Sequence, residues 1–101
     1  MNWLQVADLA DLPDGRPVRV VAAGHSLVLV RIGATVRACE AVCPHKYGPL
    51  DQGEVVEGRL KCPLHEATFD LATGLPDEAW AGRLPVFEVR VEGGSVQVRG
   101  G

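Results

Sequence analysis

The chain lacks the sequence features that mark several large classes of protein. No run of apolar residues approaches the roughly 18 that a membrane-spanning helix needs, and lysine and arginine are nowhere clustered. Ten basic residues stand against 13 acidic ones, a formal net charge of -3 over 101 residues. Because binding to phosphates requires clustered cationic side chains, we expect neither nucleic acid nor an anionic membrane surface as a partner.

Cysteine is scarce and odd in number. Three cysteines do not suggest a disulfide framework, and in a reducing compartment thiols more often serve as ligands or as buried apolar groups. Residues 1–12 contain Asp8 and Asp11 and no positively charged residue, so we expect no secretory leader. These features together predict a soluble, cytoplasmic protein.

The composition is that of an ordinary globular protein. Hydrophobic residues make up 47% of the chain and charged residues 23%, and internal repeats and low-complexity tracts are absent. A chain of this length is expected to form one hydrophobic core without help from several disulfides. We therefore predict a single domain that spans residues 1–101.

Helical periodicity is nearly absent from the sequence. Short apolar or alternating runs separated by glycine are typical of an all-β domain. Between the last two runs, Gly93 and Gly94 supply the positive φ angles of a tight hairpin. The run 27–32 is apolar almost throughout, which predicts a strand that is covered on both faces. The predicted strands are 3–6, 17–22, 27–32, 35–40, 59–62, 67–71, 86–91 and 95–99, arranged as a small antiparallel β sandwich or barrel.

One stretch departs from the strand pattern. Residues 43–65 contain three prolines, three glycines, two cysteines and two histidines. This composition predicts a loop-rich subdomain, at about residues 42–66, inserted between strands of the β domain.

The inserted stretch carries two Cys/His pairs. One residue separates Cys43 from His45, two separate Cys62 from His65, and sixteen lie between the pairs. Two facing loops would bring all four side chains around one metal centre. Zinc fingers usually pair cysteines in one arm and histidines in the other, whereas both arms are mixed here. The mixture suits an asymmetric two-iron, two-sulfur cluster better, and a structural zinc site remains the alternative.

The motifs around these pairs resemble the Rieske ferredoxin family along nearly the whole chain. The matching residues are Cys43, Pro44, His45, Gly48, Pro49, Leu50, Cys62, Pro63, Leu64, His65, Phe69, Asp70, Leu71, Thr73 and Gly74. The resemblance implies a Rieske fold around one [2Fe-2S] cluster. It implies that Cys43 and Cys62 bind the inner iron, and that His45 and His65 bind the outer iron near the surface.

Four positions separate this chain from the Rieske proteins of respiratory chains. Those proteins carry an extra cysteine in each ligand loop, where this sequence has Gly48 and Leu64. They also carry hydroxyl groups that donate hydrogen bonds towards cluster sulfurs, where this sequence has Ala67 and Phe69. Because such hydrogen bonds stabilise the reduced cluster, we expect a reduction potential near the low end of the span of about -150 to +300 mV.

These features favour an electron carrier over an enzyme. The sequence contains no glycine-rich nucleotide loop, catalytic triad or mononuclear iron motif. By resemblance, a monomeric ferredoxin would take electrons from a flavoprotein reductase and pass them to a terminal oxygenase that acts on aromatic compounds. One alternative is the small subunit of assimilatory nitrite reductase, which resembles this chain in the Lys46 that follows Cys-Pro-His. A purely structural binding module is the other.

The remaining candidates are less specific. Cys39 is predicted to be a buried apolar residue, and His25 a solvated residue in a turn. Lys46, Arg59 and Lys61 flank the ligand arms, where they either steer an acidic partner or face solvent. Trp80 either shields the cluster or docks a partner, or it simply packs in the core. Asp77 and Glu78 either tune the docking of a partner or, as the default, face solvent.

Overall fold

The computed structural model describes residues 3–43, 49–64, 67–77 and 82–99. Nine strands lie in this part of the chain, together with two short 3-10 turns, Leu9–Asp11 and Leu50–Gln52. The strands are β1 (Leu4–Asp8), β2 (Pro17–Ala22), β3 (His25–Ile32), β4 (Thr35–Glu40), β5 (Glu54–Val56), β6 (Arg59–Lys61), β7 (Thr68–Asp70), β8 (Val86–Glu92) and β9 (Ser95–Arg99).

The strands form two antiparallel sheets. The larger has six strands in the order β1-β9-β8-β4-β3-β2, and the smaller has three in the order β5-β6-β7. Strands β1 and β2, at the two ends of the larger sheet, contact each other, so this sheet curls almost into a closed barrel. The all-β prediction is confirmed. The smaller sheet uses residues 54–70, and the subdomain limits of 42–66 stay a prediction.

Strand β3 separates two cores. Its residues alternate in direction, so Val28 and Val30 pack into one buried cluster while Leu27 and Leu29 pack into the other. All four are buried, which confirms the prediction that this strand is covered on both faces. The cluster that contains Leu27 fills the barrel interior, and the one that contains Val28 continues into the smaller sheet. We call the latter the outer core. It therefore joins the barrel to the smaller sheet.

The closing hairpin forms as its sequence predicts. Both Gly93 and Gly94 have positive φ, at 55° and 81°, between β8 and β9. The apolar residues of these two strands, from Phe87 to Val98, pack into the barrel core. On the outer face, Arg90 Nε donates a hydrogen bond to Gln97 Oε1 at 2.6 Å. The alternation therefore sets which face of the hairpin is buried.

Strand boundaries differ from prediction in several places. Strand β1 begins at Leu4 and continues to Asp8, β3 begins at His25, and β8 extends to Glu92. The predicted strands 59–62 and 67–71 are each shortened to three residues. Strand β5 is missing from the predicted set because three residues are too few to show a period of two. It forms because the Glu57–Gly58 turn, with φ of 50° and 78°, folds it back onto β6.

No helix in the described ranges is long and apolar enough to cross a membrane.

Candidate metal centre

Two of the four predicted ligands lie within the described residues, and the structure brings both into the outer core. Cys43 lies three positions after the end of β4, and Cys62 follows β6 directly. Their side chains are 0% and 1% exposed. Both belong to the single buried cluster that Leu50, Leu60 and Phe69 also share. Two thiols separated by nineteen positions in sequence thus reach the same apolar environment.

The first ligand arm is held at both of its ends. The backbone N–H of Leu50 donates to the carbonyl oxygen of Ala41 at 2.9 Å, and Val42 forms an antiparallel bridge with Pro49. These contacts place the chain before Cys43 beside the chain after residue 48. His45, in the stretch 44–48, lies outside the described residues, as does Lys46.

The second arm is closed by a hydrogen bond between its two ends. The backbone N–H of Cys62 donates to the carbonyl oxygen of Ala67 at 3.1 Å. His65, between them, also lies outside the described residues. The pairing of β6 with β7, Lys61 opposite Thr68, continues directly from this closure. The small sheet is therefore the support on which the second arm is built.

A glycine lets the two arms approach each other. The turn Leu50–Gln52 ends at Gly53, where an added Cβ would lie 2.3 Å from the carbonyl oxygen of Lys61. Such a distance is far below van der Waals contact, so no other residue fits without a backbone shift. Because Lys61 directly precedes Cys62, Gly53 allows the base of the first arm to pack against the second.

The surroundings of the two thiols are apolar. Ala67 and Phe69 are fully buried in the same outer core, at the positions where respiratory Rieske proteins carry hydroxyl groups. Neither side chain has a donor, so neither gives a side-chain hydrogen bond to a bound cluster. Buried thiols in such a pocket suit a soft metal centre, because thiolate is the ligand that iron–sulfur clusters and zinc prefer. The described part of the donor set therefore fits a [2Fe-2S] cluster.

Cys39 also lies in the outer core, which confirms the prediction of a buried residue. Burial, followed by the nearby charge of Glu40, raises the pKa of this thiol to about 12. Cys39 stays protonated at neutral pH, as expected of a packing residue and not of a ligand.

Three polar residues differ from expectation or were overlooked. His25 begins β3 and its Nε2 lies 2.7 Å from Glu40 Oε1, so it is not merely solvated. The guanidinium of Arg59 donates to Thr68 Oγ1 at 3.1 Å and lies near the carboxylate of Asp70. The positive charge of Arg59 is therefore paired within the small sheet. Asp77 is exposed, yet its carboxylate binds the backbone of Thr68. Only the proline before it hinted at a structured turn. Trp80 lies outside the described residues.

Within the described ranges, no group of three or more His, Cys, Asp or Glu side chains is arranged to hold a metal ion. Two of the four predicted ligands, His45 and His65, lie outside those ranges.

Comparison with known proteins gives consistent results along the chain. The sequence profile of the Rieske [2Fe-2S] domain matches residues 2–88. Ferredoxin CarAc of Metapseudomonas resinovorans is 34% identical over 100 residues, covering 97% of this chain and 94% of that protein. A chain in the solved complex of reduced oxygenase and oxidized ferredoxin of carbazole 1,9a-dioxygenase is 34% identical, with a TM-score of 0.87. The match covers 97% of this chain and 93% of that one.

A second group of solved structures shares the fold at lower identity. A putative NADH-dependent nitrite reductase small subunit from Mycobacterium tuberculosis is 25% identical, with a TM-score of 0.87. The match covers 96% of this chain and 93% of that one. The TM-score is thus the same for the chain of the carbazole dioxygenase complex and for the nitrite reductase small subunit, whereas the sequence identity differs.

Proposed function

Because the chain belongs to the Rieske [2Fe-2S] domain family, we propose that it is the ferredoxin component of an aromatic-ring oxygenase system. In this role it is an electron carrier and not itself an enzyme. It takes one electron at a time from a flavoprotein reductase and delivers it to a terminal oxygenase. Support comes from the 34% identity to ferredoxin CarAc, which extends over 97% of this chain.

We propose Cys43 and Cys62 as the ligands of one iron, and His45 and His65 as the ligands of the other. A [2Fe-2S] cluster supplies reversible one-electron chemistry. The observation that carries the cysteine half of this assignment is the shared burial of Cys43 and Cys62 in the outer core. The histidine half rests on their spacing from the cysteines.

The apolar residues near the thiols support a low reduction potential. The reduced cluster carries one more negative charge than the oxidized cluster, so every hydrogen bond donated to it favours reduction. Ala67 and Phe69 donate none through their side chains. A low potential suits transfer from a reductase to an oxygenase and does not suit the oxidation of a quinol.

Docking to both partners is proposed to be brief. A carrier must leave the reductase before it meets the oxygenase, so each interface is expected to bury less than about 1,200 Å². The described residues next to the ligand arms include two exposed apolar side chains, Val42 and Leu64, the latter 61% exposed. We propose that the protein works as a monomer in the cytoplasm.

The cluster assignment is tested by Cys43→Ser, Cys62→Ser and the matched control Cys39→Ser. All three thiols are buried in the same outer core, so the three variants impose similar packing costs. We expect iron, acid-labile sulfide and the visible charge-transfer bands in the wild type and in Cys39→Ser. Their loss is expected in the other two variants. A colourless wild type that binds stoichiometric zinc would refute the assignment.

The functional assignment needs a second assay. Reduced protein is mixed with a ring-hydroxylating oxygenase or with a sirohaem nitrite reductase, and the rate of its reoxidation is followed. Faster reoxidation by the oxygenase supports the ferredoxin role. Faster reoxidation by the nitrite reductase would favour the small-subunit role, for which the nitrite reductase similarity is the supporting observation.

A further inference from the structure

A pair of hydrogen bonds connects the second ligand arm to the loop after β7. The backbone N–H of Thr68 donates to Asp77 Oδ1 at 2.9 Å. In return, the backbone N–H of Asp77 donates to the carbonyl oxygen of Thr68, also at 2.9 Å. Both the backbone N–H and the backbone carbonyl of Thr68 are therefore hydrogen-bonded to Asp77. The bond from the N–H depends on the side chain of Asp77.

Thr68 lies at a sensitive position for the metal centre. It directly follows Ala67, whose carbonyl oxygen accepts the N–H of Cys62. A displacement of Thr68 moves Ala67, and through that hydrogen bond it moves the backbone of Cys62. Two hydrogen bonds, one at Thr68 and one at Ala67, thus connect Asp77 with the residue that carries a buried thiol. The side chain of Asp77 itself is exposed at the surface.

The Asp77 carboxylate is ionised at neutral pH. The hydrogen bond from the Thr68 backbone is the main cause that holds its pKa below the ordinary aspartate value, with smaller contributions that include the charge of Arg59. Hydrogen bonds to a charged acceptor are stronger than those between neutral groups. The Arg59 guanidinium also donates to Thr68 Oγ1 at 3.1 Å. The charged side chains of Asp77 and Arg59 therefore both form hydrogen bonds with Thr68.

The loop beyond Thr68 is firmly attached to the small sheet. Asp70 N–H donates to the carbonyl oxygen of Leu75 at 2.9 Å, and Gly74 N–H donates to that of Asp70 at 2.7 Å. Phe69 forms an antiparallel bridge with Pro76. Because these contacts fix the residues just before it, Asp77 binds Thr68 from a rigid base.

We propose that Asp77 is a positioning residue for the second cluster-binding arm. It holds Thr68, which fixes the carbonyl of Ala67 and, through the Cys62 N–H, the direction of the Cys62 thiolate towards the iron. The inference rests on the proposed function, since it concerns the same centre. The role requires an acceptor oxygen at the position of Oδ1 and does not require the negative charge.

Two substitutions distinguish the role of the Asp77 acceptor oxygen from the role of its negative charge. Asp77→Ala removes the acceptor, and Asp77→Asn keeps an acceptor oxygen of the same reach while removing the charge. The readouts are the EPR spectrum of the dithionite-reduced holoprotein and the rate of cluster loss to a chelator. We expect Asp77→Ala to shift the g values and to lose its cluster about fivefold faster, the ratio expected for one lost hydrogen bond. Asp77→Asn keeps the acceptor oxygen and loses only the charge-assisted part of the bond, so it should stay much closer to the wild type than to Asp77→Ala in both readouts.

Asp14 provides the matched control. Its carboxylate is also exposed, and its Oδ1 accepts the backbone N–H of Gly33 at 2.7 Å, but on the barrel and away from the small sheet. Asp14→Ala should leave the spectrum and the rate of cluster loss unchanged. Asp77→Glu, which moves the carboxylate out by one methylene, should give effects between those of the wild type and Asp77→Ala. It also serves as the test if Asp77→Ala does not fold.

Each contrary result has a definite meaning. If Asp77→Ala keeps the wild-type spectrum and stability of the cluster, the inference is overturned and the proposed function stands. If Asp77→Asn changes as much as Asp77→Ala, the inference is overturned, because the negative charge and not the acceptor oxygen is then responsible. If Asp14→Ala shows the same changes, the inference is also overturned, because the effect is then not specific to this arm. If the wild type holds no [2Fe-2S] cluster, both the inference and the proposed function fail.

Discussion

The backbones of Gly74 and Leu84 lie closer together than a side chain at position 74 would permit. A Cβ added at Gly74 would lie 1.9 Å from the carbonyl oxygen of Leu84, and the φ angle of Gly74 is +78°. The same pair is joined by a hydrogen bond from the Leu84 N–H to the Gly74 carbonyl oxygen at 2.8 Å. This contact anchors the chain where it returns from the small sheet towards β8, and Leu84 is buried in the outer core.

Gly74→Ala should therefore be strongly destabilising. The variant incurs both a left-handed backbone penalty and a steric clash, which together should lower the free energy of unfolding by about 3 kcal/mol or more. Gly15→Ala is the control, because Gly15 has a φ of +75° and nothing within 4 Å of an added Cβ. It should cost only about 1 kcal/mol. Equal losses in thermal unfolding of the two variants would show that the contact with Leu84 relaxes freely.

Phe69→Tyr should raise the reduction potential. Phe69 is buried in the outer core with both cysteines, and a hydroxyl group on its ring would offer a donor towards the cluster. A hydrogen bond that favours the reduced state by about 1 kcal/mol raises a one-electron potential by roughly 40 mV. Ala67→Ser should act in the same direction. Voltammetry of the purified holoproteins measures the shift, and an unchanged or lower potential in both variants would contradict the assignment.

Cys39 should make the folded protein sensitive to alkaline pH. Its thiol pKa is raised from 9.0 to about 12 in the folded state. Below pH 9 the thiol keeps its proton in both the folded and the unfolded chain, and its contribution to the free energy of unfolding is at its maximum. Between the two pKa values the unfolded chain releases the proton while the folded chain retains it. The free energy of unfolding therefore falls as the pH rises, by about 1.4 kcal/mol per unit for this group.

Cys39→Ala removes this contribution. Its melting temperature should start lower than that of the wild type, because a buried side chain is shortened. It should then fall less steeply between about pH 9 and about pH 11. Thermal unfolding of the two holoproteins over this range gives the comparison. Parallel curves would mean that Cys39 ionises in the folded state as readily as in the unfolded chain.

Trp3 should stabilise the barrel without affecting the cluster. The guanidinium carbons of Arg90 and Arg99 lie 4.6 and 4.5 Å from the centre of its ring. Loss of two partly exposed cation–π contacts should lower the free energy of unfolding of Trp3→Ala by about 1–2 kcal/mol. The reduction potential should not change, since Trp3 stacks on Arg90 and Arg99, which lie on the outer face of the β8–β9 hairpin. Trp3→Phe, which keeps an aromatic ring, should recover part of the loss.

The sequence determined the features that depend on near neighbours along the chain. Alternation places Val96 and Val98 in the barrel core, paired glycines supply the φ angles of the last hairpin, and an apolar run gives the buried strand β3. The residues around the Cys/His pairs likewise resemble the Rieske family, and the sequence comparison confirms that resemblance. The strand and turn signals are each carried by residues within a few positions of one another, because strands and turns impose their requirements locally.

Only the tertiary structure decided which distant groups meet. Nothing local indicates that β5 is long enough to pair with β6, that Gly53 and Gly74 must lack a side chain, or that Asp77 holds Thr68. Such contacts arise when separately formed segments pack, and their partners are set by the path of the whole chain. The spacing predicted the thiols of Cys43 and Cys62 as a pair, whereas their common burial is a property of the packed outer core.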